Sequence, residues 1–136
     1  SVVQHAGTFN GNPMTAVAGV ATLESLTPDK YEYLERLGGM LRSKLRTLFA
    51  ELEVPMSVTG VASLFALQFT STEVTDYRTY ATNNKEMMQT MFIGLLNEGF
   101  LMSNRCAGNV STVHTEDDVD AFVSAVKNVL RRSGYA

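Results

Sequence analysis

Gly7-Thr8-Phe9-Asn10-Gly11-Asn12-Pro13 is the stretch whose reading carries most weight in this chain. A glycine followed by a hydroxyl residue makes a good phosphate contact. Gly7 lets another group approach the backbone, and Thr8 offers both an N–H and an O–H donor. Asn12-Pro13 then reads as a helix start, with Asn12 as N-cap and Pro13 at the first helical position. Spacing alone leaves two readings open: an anion-binding loop, or a plain turn running into a helix.

Outward from that start, the chain alternates between helical and extended patterns. Residues 13–26 are small and apolar (Ala16, Val17, Val20, Ala21, Leu23), which predicts a helix packed closely against other backbone. Thr27-Pro28 repeats the cap-plus-proline signal. Leu34, Leu37, Leu41, Leu45, Leu48 and Leu52 then recur at steps of three or four, one face of a second helix. Arg36, Arg42, Lys44, Arg46 and Glu51 fall on its other faces. Gly38-Gly39 interrupts the pattern and marks either a bend or a close contact.

Beyond Pro55, the segment 57–70 reads as two short strands around Gly60, with Phe65, Leu67 and Phe69 on one face. Residues 71–80 read as polar and irregular. A helix is expected from Asn84, with Met87, Met88, Met91, Phe92, Leu95 and Leu96 inward and Gly99 just past its end. Phe100-Leu101-Met102 and the segment 110–113 read as strands. Thr115 caps a last helix, with Asp118 at the capping-box position. Val119, Phe122, Val123, Val126 and Leu130 form the buried stripe of that helix. Helices with a few short, hairpin-connected strands make an α+β fold, a small, mainly antiparallel sheet covered by helices.

Composition narrows the function classes. At 136 residues one domain is the natural expectation. A formal charge of -3, from 11 basic and 14 acidic residues, argues against a nucleic-acid partner. No apolar run has membrane-span length. The single cysteine, Cys106, fits a reducing, cytoplasmic setting.

The stretch Gly7–Pro13, continuing through Ala16, Ala18-Gly19, Ala21-Thr22-Leu23-Glu24 and Leu26, resembles the class III pyridoxal-phosphate aminotransferases. It is most similar to their glutamate-1-semialdehyde aminomutase branch. A second patch, Ser111 to Asp120, is similar to the last strand and the start of the last helix of that family. The resemblance implies that residues 1–27 end the family's large domain, as a cofactor-loop segment and interface helix. Residues 28–136 would then form its carboxy-terminal small domain. It implies that Gly7 and Thr8 contact the phosphate of pyridoxal phosphate across a dimer interface. The Schiff-base lysine of the family lies upstream of Gly7, so none of Lys30, Lys44, Lys85 and Lys127 stands at its position. Each of these four falls on a predicted polar face or helix edge.

Three expectations follow from the resemblance. The chain supplies a phosphate contact and part of a substrate-pocket wall without catalysing transamination alone. It forms a homo-oligomer, most simply a dimer, and its partners include a missing large domain. The alternative is a free-standing, non-catalytic binding or oligomerisation module derived from such an enzyme. A third reading is an unrelated α+β domain binding an anion at Gly7-Thr8.

Among other residues, Arg105 reads either as a bidentate holder of a substrate carboxylate or as an exposed loop arginine. The aminomutase branch tends to carry a Phe-Glu or Tyr-Glu pair near this point, and this chain departs from it. His5 and His114 have no nucleophile or carboxylate partner at a telling spacing, and His114 reads as structural. Asp117, Asp118 and Asp120 fit the helix dipole without a metal. No catalytic residue and no metal ligand is assigned.

Overall fold

The structure is a computed structural model, and it describes residues 7–136; His5 lies outside the described residues. Its elements run α1 (Pro13–Ser25), α2 (Pro28–Glu51), β1 (Ser57–Thr59), β2 (Leu64–Gln68), α3 (Tyr77–Tyr80), α4 (Lys85–Asn97), β3 (Ala107–Asn109) and α5 (Glu116–Arg132). Two compact units divide the chain, Ser1–Glu32 and Tyr33–Ala136.

In the first unit, α1 starts as its sequence dictates. The Asn12 side chain accepts the N–H of Met14 at 2.9 Å, and Pro13 opens the helix where no N–H is needed. None of its residues is buried, although Met14, Val17, Val20 and Leu23 are large and apolar.

In the second unit, a three-stranded sheet is antiparallel throughout, in the order β1-β2-β3. Val58 stands opposite Leu67, and Phe65 opposite Gly108. The predicted alternation holds: Phe65, Leu67 and Phe69 are all buried. They meet Leu37, Leu41, Leu45 and Leu48 of α2, Met87, Met91 and Leu95 of α4, and Val119, Phe122, Val126 and Leu130 of α5 in one core. Phe122 lies edge-on to both Phe65 and Phe100, with ring centroids 5.4 and 5.3 Å apart. The Thr115–Asp118 capping box is formed in both directions.

Arg42 departs from its sequence reading. It is buried, and its guanidinium donates to the carbonyls of Ala62, at 2.5 Å, and Leu64, at 3.1 Å. The Ala62 carbonyl lies in the β1–β2 connection and the Leu64 carbonyl at the first residue of β2, so the buried guanidinium ties α2 to the start of that strand. Gly38 lies one turn earlier. A Cβ there would stand 2.0 Å from the Ala62 carbonyl oxygen. The glycine pair thus marks a close contact, and α2 runs through it unbroken.

Three further segments differ from expectation. The stretch 71–80 contains α3, a single turn closed by a capping box between Asp76 and Thr79. Beyond it, Asn83 clasps the end of β2. Its Oδ1 accepts the N–H of Phe69 at 2.5 Å, and its Nδ2 donates to Gln68 and to the Tyr80 carbonyl. Phe100–Met102 joins no ladder. The third strand is Ala107–Asn109, short of the predicted 110–113, where a turn from Ser111 to His114 intervenes. Ala-Gly-Asn has poor strand propensity; it is a strand because the free edge of β2 supplies its partners.

The two neighbouring glycines make opposite predictions. Gly38→Ala is expected to destabilise the fold by about 3 kcal/mol, since the methyl group meets backbone that cannot yield. Gly39→Ala, whose Cβ would find nothing closer than 3.9 Å, is expected to stabilise it by up to about 1 kcal/mol. Urea unfolding of the two variants and the parent checks both signs.

Candidate functional site

The loop ahead of α1 is built from two overlapping turns. The N–H of Asn10 reaches the Gly7 carbonyl at 3.1 Å, and that of Asn12 reaches Phe9 at 3.1 Å. Gly11 has φ +75°, a left-handed conformation that suits glycine. A Cβ on Gly7 would stand 2.8 Å from Asn10 Oδ1, so the loop closes tightly over that position. Thr8 is exposed, and its hydroxyl bonds to no other described residue. A free hydroxyl beside a side-chain-less residue, one turn ahead of a helix start, is a donor set that fits one face of a phosphate group.

Arg105 stands in the second unit, in the turn that leads into β3. Cys106 N–H donates to the Ser103 carbonyl at 2.9 Å, and the Cys106 carbonyl accepts from Leu67 N–H at 3.0 Å. Cys106 itself has φ +53° and is completely buried, with its thiol 3.4 Å from the Met88 carbonyl. The turn is pinned from inside, and Arg105 projects from it as an exposed side chain that takes part in none of the ion pairs among the described residues.

Of the four lysines, Lys44 pairs with Asp120, and Lys30 donates to the Ser25 carbonyl. Lys85 opens α4 as an exposed residue, and Lys127 is half-buried. His114 accepts the Ser111 N–H on Nδ1 at 3.0 Å, and its carbonyl accepts from the Tyr33 hydroxyl. The Nδ1 acceptor role puts the proton of the neutral ring on Nε2. Asp118 is held below the usual carboxylate range, first by the Thr115 backbone N–H and then by its hydroxyl. Among the described residues, no group of three or more His, Cys, Asp or Glu side chains could hold a metal ion. Within the same residues, no helix is long and apolar enough to cross a membrane.

Comparison with known proteins shows what this chain is similar to. No protein-family model matches the chain. Individual proteins do. It is 38% identical over 130 residues to a glutamate-1-semialdehyde 2,1-aminomutase from Methanothermobacter thermautotrophicus, covering 94% of this chain and 31% of that protein. It superposes on a beta-phenylalanine aminotransferase from Variovorax paradoxus with a TM-score of 0.84 and 34% identity, over 98% of this chain and 31% of the other. A transaminase solved with pyridoxal phosphate bound matches at a TM-score of 0.74 and 27% identity, over 96% of this chain. The fold is that of the carboxy-terminal part of pyridoxal-phosphate transaminases. The chain is homologous to the same part of the glutamate-1-semialdehyde aminomutases, as the patches at its two ends implied, and it spans about a third of the length of these relatives.

The buried thiol yields a prediction. Burial pushes the Cys106 thiol up to about 12. An unfolded cysteine ionises near about 8.5. Between those values the unfolded chain holds fewer protons than the folded one, so stability falls as pH rises through that window and is unaffected below it. Cys106 is expected to resist an aromatic disulfide reagent at mildly alkaline pH while the protein is native, and to react at once in denaturant. The rate of thiolate release, followed by absorbance, measures this.

Proposed function

We propose that this chain acts as the carboxy-terminal part of a class III aminotransferase or aminomutase. The observation that carries the proposal is the match in sequence and fold along nearly the whole chain, with Gly7-Thr8 one turn ahead of a capped helix. In this reading residues 1–27 close the large domain and residues 28–136 form the small one. When bound, pyridoxal phosphate supplies an electron sink for chemistry at an amine-bearing carbon. Thr8 donates its hydroxyl, and the Gly7-Thr8 backbone its N–H groups, to the phosphate bound by a neighbouring subunit. Arg105, on its pinned turn, offers a two-pronged donor to a substrate carboxylate.

The reading assigns no lysine of this chain to the cofactor aldehyde. An amine nucleophile needs a depressed pKa from burial or a neighbouring cation. Lys44 has a carboxylate partner, Lys30 is half-buried and donates to the Ser25 carbonyl, Lys85 is exposed and Lys127 is half-buried on α5. The 136 residues are therefore expected not to catalyse transamination by themselves. The exposed apolar side chains of α1 favour association, most simply as a two-fold dimer that completes the phosphate site. A stand-alone binding or oligomerisation module is the alternative, favoured by the same exposed helix.

Borohydride reduction in the presence of pyridoxal phosphate, followed by peptide mass spectrometry, tests the statement that no lysine of this chain takes the cofactor aldehyde. Scattered, substoichiometric labelling is expected. One lysine labelled stoichiometrically would overturn the assignment.

The phosphate contact has its own test. Thr8→Ala in this chain is expected to leave stability within about 0.5 kcal/mol, since an exposed loop hydroxyl has little to lose. The same change at the matching threonine of a complete enzyme is expected to weaken cofactor retention about tenfold, the loss of one hydrogen bond to a charged group. Equal cofactor dissociation rates in the two enzymes would reduce Gly7-Thr8 to an ordinary turn.

A further inference from the structure

Asn10-Gly11 is the one place in the chain where a glycine follows an asparagine. Both residues are exposed, in the loop ahead of α1. Among the described residues, the Gly11 N–H makes no hydrogen bond, and neither does the Asn10 side-chain amide. An asparagine amide is a weak electrophile whose nearest nucleophile is the backbone nitrogen of the next residue. A side chain on that residue shields the nitrogen, and glycine leaves it open.

The other asparagines each lack part of this combination. Asn12 precedes Pro13, whose nitrogen carries no proton to give up. Asn83 is buried, and the Asn84 side chain caps α4. The nitrogens that follow Asn97, Asn109 and Asn128 are tied into helix or loop hydrogen bonds. Asn104 is exposed in a turn, but Arg105 follows it with a long side chain.

We propose that Asn10 is a site of spontaneous deamidation. The Gly11 nitrogen attacks Asn10 Cγ and forms a C–N bond. The Cγ–Nδ2 bond breaks, and ammonia leaves with the proton of the Gly11 N–H. Water then opens the cyclic imide at either carbonyl, to aspartate or to isoaspartate. Each turnover consumes a water molecule and releases ammonia, and nothing is oxidised or reduced. The reaction belongs to the chain while this loop is uncovered.

The products fall on the loop proposed above to contact phosphate. A Cβ on Gly7 would lie 2.8 Å from Asn10 Oδ1 and 3.1 Å from Asn10 Cγ, so the reacting group packs against Gly7. An aspartate there puts a negative charge beside Thr8, where it repels an anion. Isoaspartate lengthens the main chain inside the turn closed by the Phe9 carbonyl and the Asn12 N–H. This consequence rests on the phosphate reading of Gly7-Thr8; the deamidation does not.

The test ages the full chain at mildly alkaline pH and follows its peptides by mass spectrometry. Conversion at Asn10 is expected to run at least about tenfold faster than at Asn104, the exposed asparagine with a side chain on its neighbour. Asn10→Gln is expected to abolish the early acidic form seen on ion exchange. Conversion at Asn10 no faster than at Asn104 would overturn the site. Titration of inorganic phosphate into the fresh and the aged chain, followed by amide NMR, reads the consequence. Shifts at Gly7 and Thr8 are expected in the fresh chain, and binding at least about fivefold weaker in the aged one. Equal affinity would overturn the link between deamidation and the loop. No shifts at Gly7 and Thr8 in the fresh chain would overturn the phosphate reading, while the peptide masses still decide the modification.

Discussion

The second unit depends on one contact, the seating of α2 on the β1–β2 connection. Arg42 donates to the carbonyls of Ala62 and Leu64, and Gly38 removes the side chain that would hold the helix away. Neither works without the other. A methyl group at position 38 would lift the helix and strand the guanidinium at a distance where its bonds weaken steeply. A shorter side chain at position 42 would leave two part-buried carbonyls without this donor, at a cost of up to about 1 kcal/mol each. With the helix seated, Leu37, Leu41 and Leu45 lie over the sheet, and α4 and α5 close the core around Phe65, Leu67 and Phe69.

The sheet in turn places the turn that carries Arg105. β3 pairs with β2 from Ala107 to Asn109, and Cys106 fills the core just before it. The left-handed backbone at Cys106 costs about 1 kcal/mol or more for a residue with a side chain. Burial of the thiol and two backbone hydrogen bonds offset that cost. A cysteine here is a packing residue that bends the chain, which explains why the exposed residue next to it is presented at the tip of a turn.

Long-period patterns in the sequence were the most legible. The leucine stripe of α2, the capped starts of α1 and α5, and the alternation in β2 all arise from local rules that act within a few residues. What stayed hidden depended on partners far along the chain. Arg42 looks like any cation on a polar face until the hairpin 20 residues on presents its carbonyls. Ala107–Asn109 carries no strand signal of its own, and Phe100–Met102 carries one without finding a ladder. α3 rests on a single capping box, below the length at which periodicity can be read. At the candidate site, the Gly7-Thr8 loop and its helix start were legible as chemistry. The pinned geometry under Arg105 was not, because the cysteine that creates it gives no pattern.

The order of the strands in space is their order along the chain. Such a sheet does not wait for a distant segment to arrive before it begins. β1 and β2 close over a short loop, at small entropic cost, and can settle against α2, which precedes them. β3 then adds to an edge that already exists. The local β1–β2 pairing forms first, whereas the β2–β3 pairing must close across α3 and α4 and comes later. A nascent chain carrying this unit would hold its helix and hairpin together well before its last helix left the ribosome, and α5 would seal a core already half assembled.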